Sequence, residues 1–181
     1  MITVISGTNR EGSNSLKIAK QLAGFYQELE AEAQVLDLRE LPPEALDPGA
    51  YWEKPESVKP FIQQIMDSDG LVLVVPEYNG SFPGVLKLFI DLLPFPEAFD
   101  QRPACYIGIS AGQFSGLRPV EQLQQVFGYR NAYNFPPRTF IAGVGKKIGE
   151  DDLLNDEELV ERLKKQAAGF LEFVRRVTSQ V

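Results

Sequence analysis

The 181 residues contain no histidine and a single cysteine, Cys105. The first absence removes the commonest general base and the commonest transition-metal ligand, which excludes histidine-based triads and most zinc sites. The second excludes an intrachain disulfide or a dithiol pair, and Cys105, inside an apolar run, reads as core. Catalysis in such a chain falls to a bound cofactor. Long apolar stretches are missing too: residues 71–76 and 86–94 fall well short of the roughly 20 needed to span a bilayer. The amino terminus enters a strand pattern at Ile2 without a basic region and cleavage site, so the expected location is the cytoplasm. Positive charge is scarce, with 18 Lys and Arg against 25 Asp and Glu, a net charge of −7. That balance disfavours nucleic acid and anionic membranes as partners, and any anionic ligand must be captured locally.

What is present is an ordinary globular composition, 44% hydrophobic and 24% charged, of a length suited to one domain over residues 1–181. Five short apolar runs, at 2–5, 33–38, 71–75, 104–109 and 139–141, read as strands. Between and after them lie helical spacings: Leu16, Ala19, Ala23 and Tyr26, then Val58, Phe61, Ile62 and Ile65, then Val120, Leu123 and Phe127, and finally Leu159, Leu163, Ala167, Phe170 and Val174. Nearly continuous aliphatic strands alternating with helices predict an α/β fold, a doubly wound parallel sheet covered on both faces. Its ligands belong beyond the carboxyl ends of the strands, where the winding reverses. Residues 41–60, with five prolines, form the least regular segment, either a lid or a surface connection on which Tyr51 and Trp52 pack.

The loop after the first strand runs Ser6-Gly7-Thr8-Asn9-Arg10-Glu11-Gly12-Ser13-Asn14-Ser15. Its hydroxyls, amides, two glycines and the amino end of the following helix combine flexible backbone with free N–H donors and a partial positive charge. Together they predict an anion pocket. Arg10 adds a planar cationic fork suited to phosphate oxygens, and a phosphate monoester is the natural guest. The plainer alternative is a helix cap at Ser13 or Asn14. Neither a Walker A ending nor a Gly-x-Gly-x-x-Gly order is present, which disfavours ATP and firmly bound NAD.

The loop after the third strand reads Pro76-Glu77-Tyr78-Asn79-Gly80-Ser81-Phe82-Pro83-Gly84 and continues to Lys87. Tyr78 and the turn backbone can offer an aromatic wall and polar edges to a flat ring. This segment, taken with Thr8, Arg10, Ser13 and Ser15, resembles the NADPH-dependent FMN reductase family. The resemblance implies a flavodoxin-like three-layer sandwich with strand order 2-1-3-4-5. It also implies FMN as cofactor, gripped at its phosphate by Ser6, Thr8, Arg10, Ser13, Asn14 and Ser15, with Pro76, Glu77, Tyr78 and Asn79 at the ring. The loop after the fourth strand, with Ser110 and Gly112, approaches the other ring edge. Its two glycines stand apart, Gly112 and Gly116, whereas similar reductases often carry a pair. Leu88 and Leu93 also replace residues frequent in the family, asparagine and tryptophan.

The implied activity is transfer of hydride from NADPH or NADH, through the flavin, to a small acceptor such as a flavin, quinone or azo compound. Arg118, Lys146 and Lys147 are candidates for the dinucleotide phosphates or plain solvated cations, and Lys87 with Asp91 a structural pair. The 84–94 helix is apolar on nearly every side, so it is either buried or the interface of a homodimer or homotetramer. Two rivals remain: a flavodoxin-like one-electron carrier, and a regulatory protein that has lost the flavin.

Overall fold

The computed structural model describes residues 1–179. Its parallel strands are β1 (Ile2–Ser6), β2 (Ala33–Asp37), β3 (Gly70–Pro76), β4 (Pro103–Ile109), β5 (Tyr133–Asn134) and β6 (Thr139–Ile141), and the helices are α1 (Asn14–Glu28), α2 (Lys59–Met66), α3 (Gly84–Leu92), α4 (Leu117–Tyr129) and α5 (Glu157–Thr178). The sheet order is β2-β1-β3-β4-β5, with β6 also pairing β4.

The fifth strand expected at 139–141 is present as β6, and a further short strand, β5, which the sequence did not reveal, precedes it on the same edge of β4. Tyr133 and Asn134 pair with Pro103 and Ala104, while Thr139, Phe140 and Ile141 pair with Ile107, Gly108 and Ile109. Pro136 and Pro137 lie between them, and proline cannot donate to a ladder.

Strand β3 shows why the apolar runs are continuous. Leu71, Leu73 and Val75 face the layer of α2, α3 and α4, packing with Leu86, Phe89, Leu123 and Phe127. Val72 and Val74 point the other way, towards Ile18, Leu22, Leu163 and Phe170 on α1 and α5. A strand buried on both faces has no place for alternating polar residues.

Helix α5 is specified by its ends as well as by its apolar stripe. Asp156 accepts from the Leu159 N–H, Glu157 and Glu158 occupy the first turn and Arg175 and Arg176 the last, as the helix dipole favours. Inside the sheet contact, the Gln166 amide donates to Cys105 Sγ, Tyr106 O and Pro137 O, stapling α5 to β4 and to the bend before β6. Burial pushes the Cys105 thiol up to about 12. Cys105 is core, as expected.

The 41–60 segment is secured by buried Ala45, Ala50 and Val58. Trp52 does not pack on the sheet edge; it is 91% exposed, and Tyr51 is 47% exposed. Helix α3 buries Leu86, Phe89, Ile90 and Leu92 in its own core and turns Lys87 and Asp91 outwards, paired at 2.6 Å.

Candidate functional site

The turns leaving β1, β3 and β4 meet at one end of the sheet. After β1, Gly7 passes so close to β3 that a Cβ would lie 2.8 Å from Val74 O, and its own N–H donates to that oxygen at 2.9 Å. Gly12, at φ +63°, turns the chain into α1 with Ser13 as N-cap. Buried hydroxyls line up behind this turn: Ser6 Oγ donates to Ser15 Oγ at 3.4 Å, Ser15 Oγ to Ser13 Oγ at 3.2 Å, and Ser13 Oγ accepts from the Leu16 N–H. With the Leu16 N–H taken up by Ser13, the Asn14 and Ser15 N–H groups at the start of α1 are left without an acceptor within the helix.

Thr8 is the bolt between two loops. Its hydroxyl accepts from the Arg10 N–H at 3.3 Å and lies 3.1 Å from the Tyr78 hydroxyl. The loop after β3 is also fastened to β4, because the Glu77 N–H donates to Ile109 O at 3.0 Å. It then reverses through a two-residue turn, Asn79 at φ +51° and Gly80 at φ +77°, closed by mutual bonds between Tyr78 and Ser81. From the β4 side, Ser110 Oγ donates to Gly112 O at 2.7 Å, and Ser110 O accepts from the Val144 N–H.

These turns enclose a cavity of about 390 Å³. Arg10, Ser13, Asn14, Ser15, Pro76, Glu77, Tyr78 and Ser110, all expected from the sequence, line it. Ser6 and Thr8 stand one layer behind, buried, where they fix the turn. Asn79 is at the exposed turn tip and Gly112 is exposed beside Ser110; neither lines the cavity. Sequence reasoning did not single out Glu11, Gly12, Ile109, Ala111 and Val144 as lining residues. Glu11 and Gly12 lay inside a loop already marked, whereas Val144 reaches the site only through the turn after β6 and leaves no local signal.

Arg10 is the one cation among the lining residues. Arg39, outside the cavity, pairs with Glu40 and Asp37, and its guanidinium is held above its ordinary value by its bond to Glu40 and by the charges of Glu40 and Asp37, with only a minor contribution from Glu11. Arg118, on α4, is neither free nor simply solvated: its Nη1 lies 3.2 Å from Glu77 Oε1, and its guanidinium sits 4.2 Å over the Phe114 ring. Lys147 pairs with Asp156. The 41–60 segment contributes nothing to the cavity wall.

A larger depression, about 590 Å³, lies between α3 and α4 and differs in chemistry. Phe82, Ile90, Phe95, Phe99 and Tyr129 line it, and the Arg130 guanidinium stacks 3.9 Å from the Phe95 ring centre and 5.1 Å from that of Tyr129.

A parallel 2-1-3-4-5 sheet with helices on both faces, and turns rich in hydrogen-bond donors beyond β1, β3 and β4, defines a flavodoxin-like α/β protein. The family model for NADPH-dependent FMN reductase matches residues 1–147. The chain belongs to that family, and with it to the FMN-dependent NAD(P)H oxidoreductases. It is 31% identical to an NAD(P)H-dependent FMN reductase of Pseudomonas aeruginosa over 68% of each chain. It is 33% identical to a 2-hydroxy-1,4-benzoquinone reductase of a Burkholderia species, over 71% of this chain and 70% of that one. Among solved structures, the flavoenzyme NAD(P)H:acceptor oxidoreductase FerB of Paracoccus denitrificans superposes with a TM-score of 0.81 at 24% identity, covering 97% of both chains. No described helix is long and apolar enough to cross a membrane.

Proposed function

We propose that the cavity between the β1, β3 and β4 turns holds FMN, and that the protein uses it to carry electrons from NAD(P)H to a small acceptor such as a flavin, quinone or azo compound. The observation that carries this reading is the chemistry of the wall. One end offers the α1 amino terminus, Ser13, Asn14, Ser15 and Arg10, a donor set fitted to a phosphate dianion. The rest offers Pro76, Tyr78, Ile109, Ala111 and Val144, apolar or aromatic surface for a flat ring. Between them Glu77 Oε2 is buried without a hydrogen-bond partner, an acceptor that a ligand donor would satisfy.

When bound, FMN supplies the hydride-accepting and electron-donating chemistry, and the protein's task is orientation. Arg10 and the α1 terminus hold the phosphate. Ser6 and Thr8 act from behind, the first by fixing the Ser15 and Ser13 hydroxyls and the second by joining the phosphate turn to Tyr78. Asn79 and Gly112 set the shape of the turns on either side of the ring, Asn79 by adopting the left-handed backbone that its turn requires. No side chain need exchange a proton with the acceptor, in keeping with a chain without histidine.

Assembly as a homodimer or homotetramer completes the reading. The 84–94 helix directs its apolar side inwards, so the surface offered to a second copy is the aromatic depression beside it, with Phe95 57% and Tyr129 79% exposed. The cytoplasm is the proposed location.

The deciding experiment titrates the purified chain with FMN by fluorescence quenching and then follows NADPH and NADH oxidation with a quinone or free FMN as acceptor. Saturable binding with turnover is expected. Tight binding without turnover would mark an electron carrier instead, and absence of binding would overturn the proposal.

A further inference from the structure

The Glu77–Arg118 pair is not needed to grip a phosphate, and its geometry leaves something over. Glu77 lines the cavity with its side chain only 12% exposed, and its two oxygens are treated differently. Oε1 lies 3.2 Å from Arg118 Nη1, while Oε2 is buried with no partner among the described residues. A carboxylate can only accept, so the inner oxygen calls for a donor. Arg118 in turn is braced by Phe114, 4.2 Å below its guanidinium, and is 47% exposed. It is the only cation within ion-pair distance of Glu77 among the described residues.

We infer that Glu77 and Arg118 together set the reduction potential of the bound flavin. This rests on the FMN reading above. Glu77 accepts a hydrogen bond through Oε2 from a donor of FMN, either the imide N–H of the ring or a ribityl hydroxyl. The carboxylate then brings a negative charge beside a ring that gains one when reduced: hydride from NAD(P)H delivers two electrons and one proton, and NAD(P)⁺ leaves. Glu77 alone would disfavour that gain, and Arg118 offsets it from the far side of the carboxylate. Both residues are therefore positioning and charge-setting groups, with no bond made or broken at either.

A merely structural clamp between the β3 turn and α4 would make a different prediction. Losing a clamp weakens the hold on oxidised and reduced FMN alike and leaves the midpoint potential where it was. Losing a charge balance changes the ratio of the two affinities, which is what the potential of the bound flavin reports.

The test uses the FMN-loaded protein and its Arg118→Gln, Arg118→Lys and Glu77→Gln variants, with Kd for FMN from fluorescence quenching and the midpoint from dye-referenced reduction. Arg118→Gln is expected to lower affinity for the reduced form about tenfold more than for the oxidised form, a midpoint about 30 mV lower. Glu77→Gln is expected to move it upwards by a similar amount. Arg118→Lys keeps the charge and is expected to retain the original value. Midpoints unmoved in Arg118→Gln and Glu77→Gln, in protein that still binds FMN, would overturn the inference and leave the FMN reading standing. Failure of the unaltered chain to bind FMN would overturn the FMN reading itself, and this inference with it.

Discussion

Two concave surfaces lie on neighbouring parts of this molecule, and their walls are built from different parts of the chain. The mouth beyond β1, β3 and β4 is walled by turns: backbone N–H groups, hydroxyls and one guanidinium, held by bonds such as Thr8 to Tyr78 and Ser110 to Val144. The depression between α3 and α4 is walled by side chains of these helices and their flanking loops, four aromatic rings (Phe82, Phe95, Phe99 and Tyr129) among aliphatic, amide and charged neighbours, with Arg130 stacked on Phe95 and Tyr129. Directional donors select a small charged ligand, whereas broad aromatic area suits another protein surface. The two are joined through α4, since Gln122 borders the depression, accepts from Ser81 Oγ at 2.5 Å and donates to Gly80 O in the turn after β3.

The largest effect should come from breaking the scaffold under the mouth. Gly116 has φ +80°, and a Cβ there would sit 2.5 Å from Ile109 N and 2.8 Å from Gly108 C. Gly116→Ala therefore adds overlap with backbone to left-handed strain, and a loss of about 3 to 5 kcal/mol is expected from urea denaturation. A loss under about 1 kcal/mol would mean that the start of α4 shifts away from β4 freely. Next comes the ligand end. Arg10→Ala removes the lining cation, and FMN binding is expected to weaken by about 1.5 to 3 kcal/mol, roughly 10- to 150-fold, with the oligomer unchanged. Unaltered affinity would take Arg10 out of the site.

The complementary change is smaller and falls on the other surface. Phe95→Ala removes the ring under Arg130 and is expected to weaken self-association by about 1 to 2 kcal/mol, read by light scattering across a dilution series. FMN affinity should stay within about twofold, because Phe95 does not line the mouth and the link between the two surfaces runs through Gln122. If Phe95→Ala and Arg10→Ala each disturbed both readouts, the division of labour between the two surfaces would fail.

The sequence showed the first of these surfaces better than the second, and the reason is locality. The phosphate turn is a contiguous run from Ser6 to Ser15, so its chemistry can be read without knowing the fold. Strand positions were legible because β3 and β4 are buried on both faces and carry no charged residue, β3 as an aliphatic run and β4 as a mixed apolar one. What escaped was non-local. Tyr133–Asn134 is two residues long, and Tyr133 is exposed; only its place beside Pro103 makes it a strand. Val144 belongs to the site because β6 pairs with β4. Trp52 was expected to pack or to cover a site, yet neighbouring small residues, Ala45 and Ala50, occupy the core and leave the indole outside. The Glu77–Arg118 pair joins positions 41 residues apart, beyond any reading of spacing.

The smallest expected effect concerns the far wall of the mouth. Val144 lies in the turn that Lys147 ties to Asp156, the N-cap of α5. The bond from Lys147, followed by that from the Leu159 N–H, holds the Asp156 carboxyl below its ordinary value. A carboxyl whose pKa is depressed by folding adds stability that is present above its unfolded pKa, about 3.9, and is lost as pH falls through the lower folded value. Asp156→Asn preserves a good N-cap while deleting the charge, so it isolates the ion pair from the cap. The urea midpoint should drop slightly at pH 7, and the gap to the unaltered protein should close as pH falls below the unfolded value and through the lower folded one. FMN affinity should fall less than twofold, because the pair steadies a wall and not the phosphate end. A gap that persisted undiminished at low pH would assign the role of Asp156 to capping geometry alone, and the wall holding Val144 would then owe nothing to the charge of Lys147.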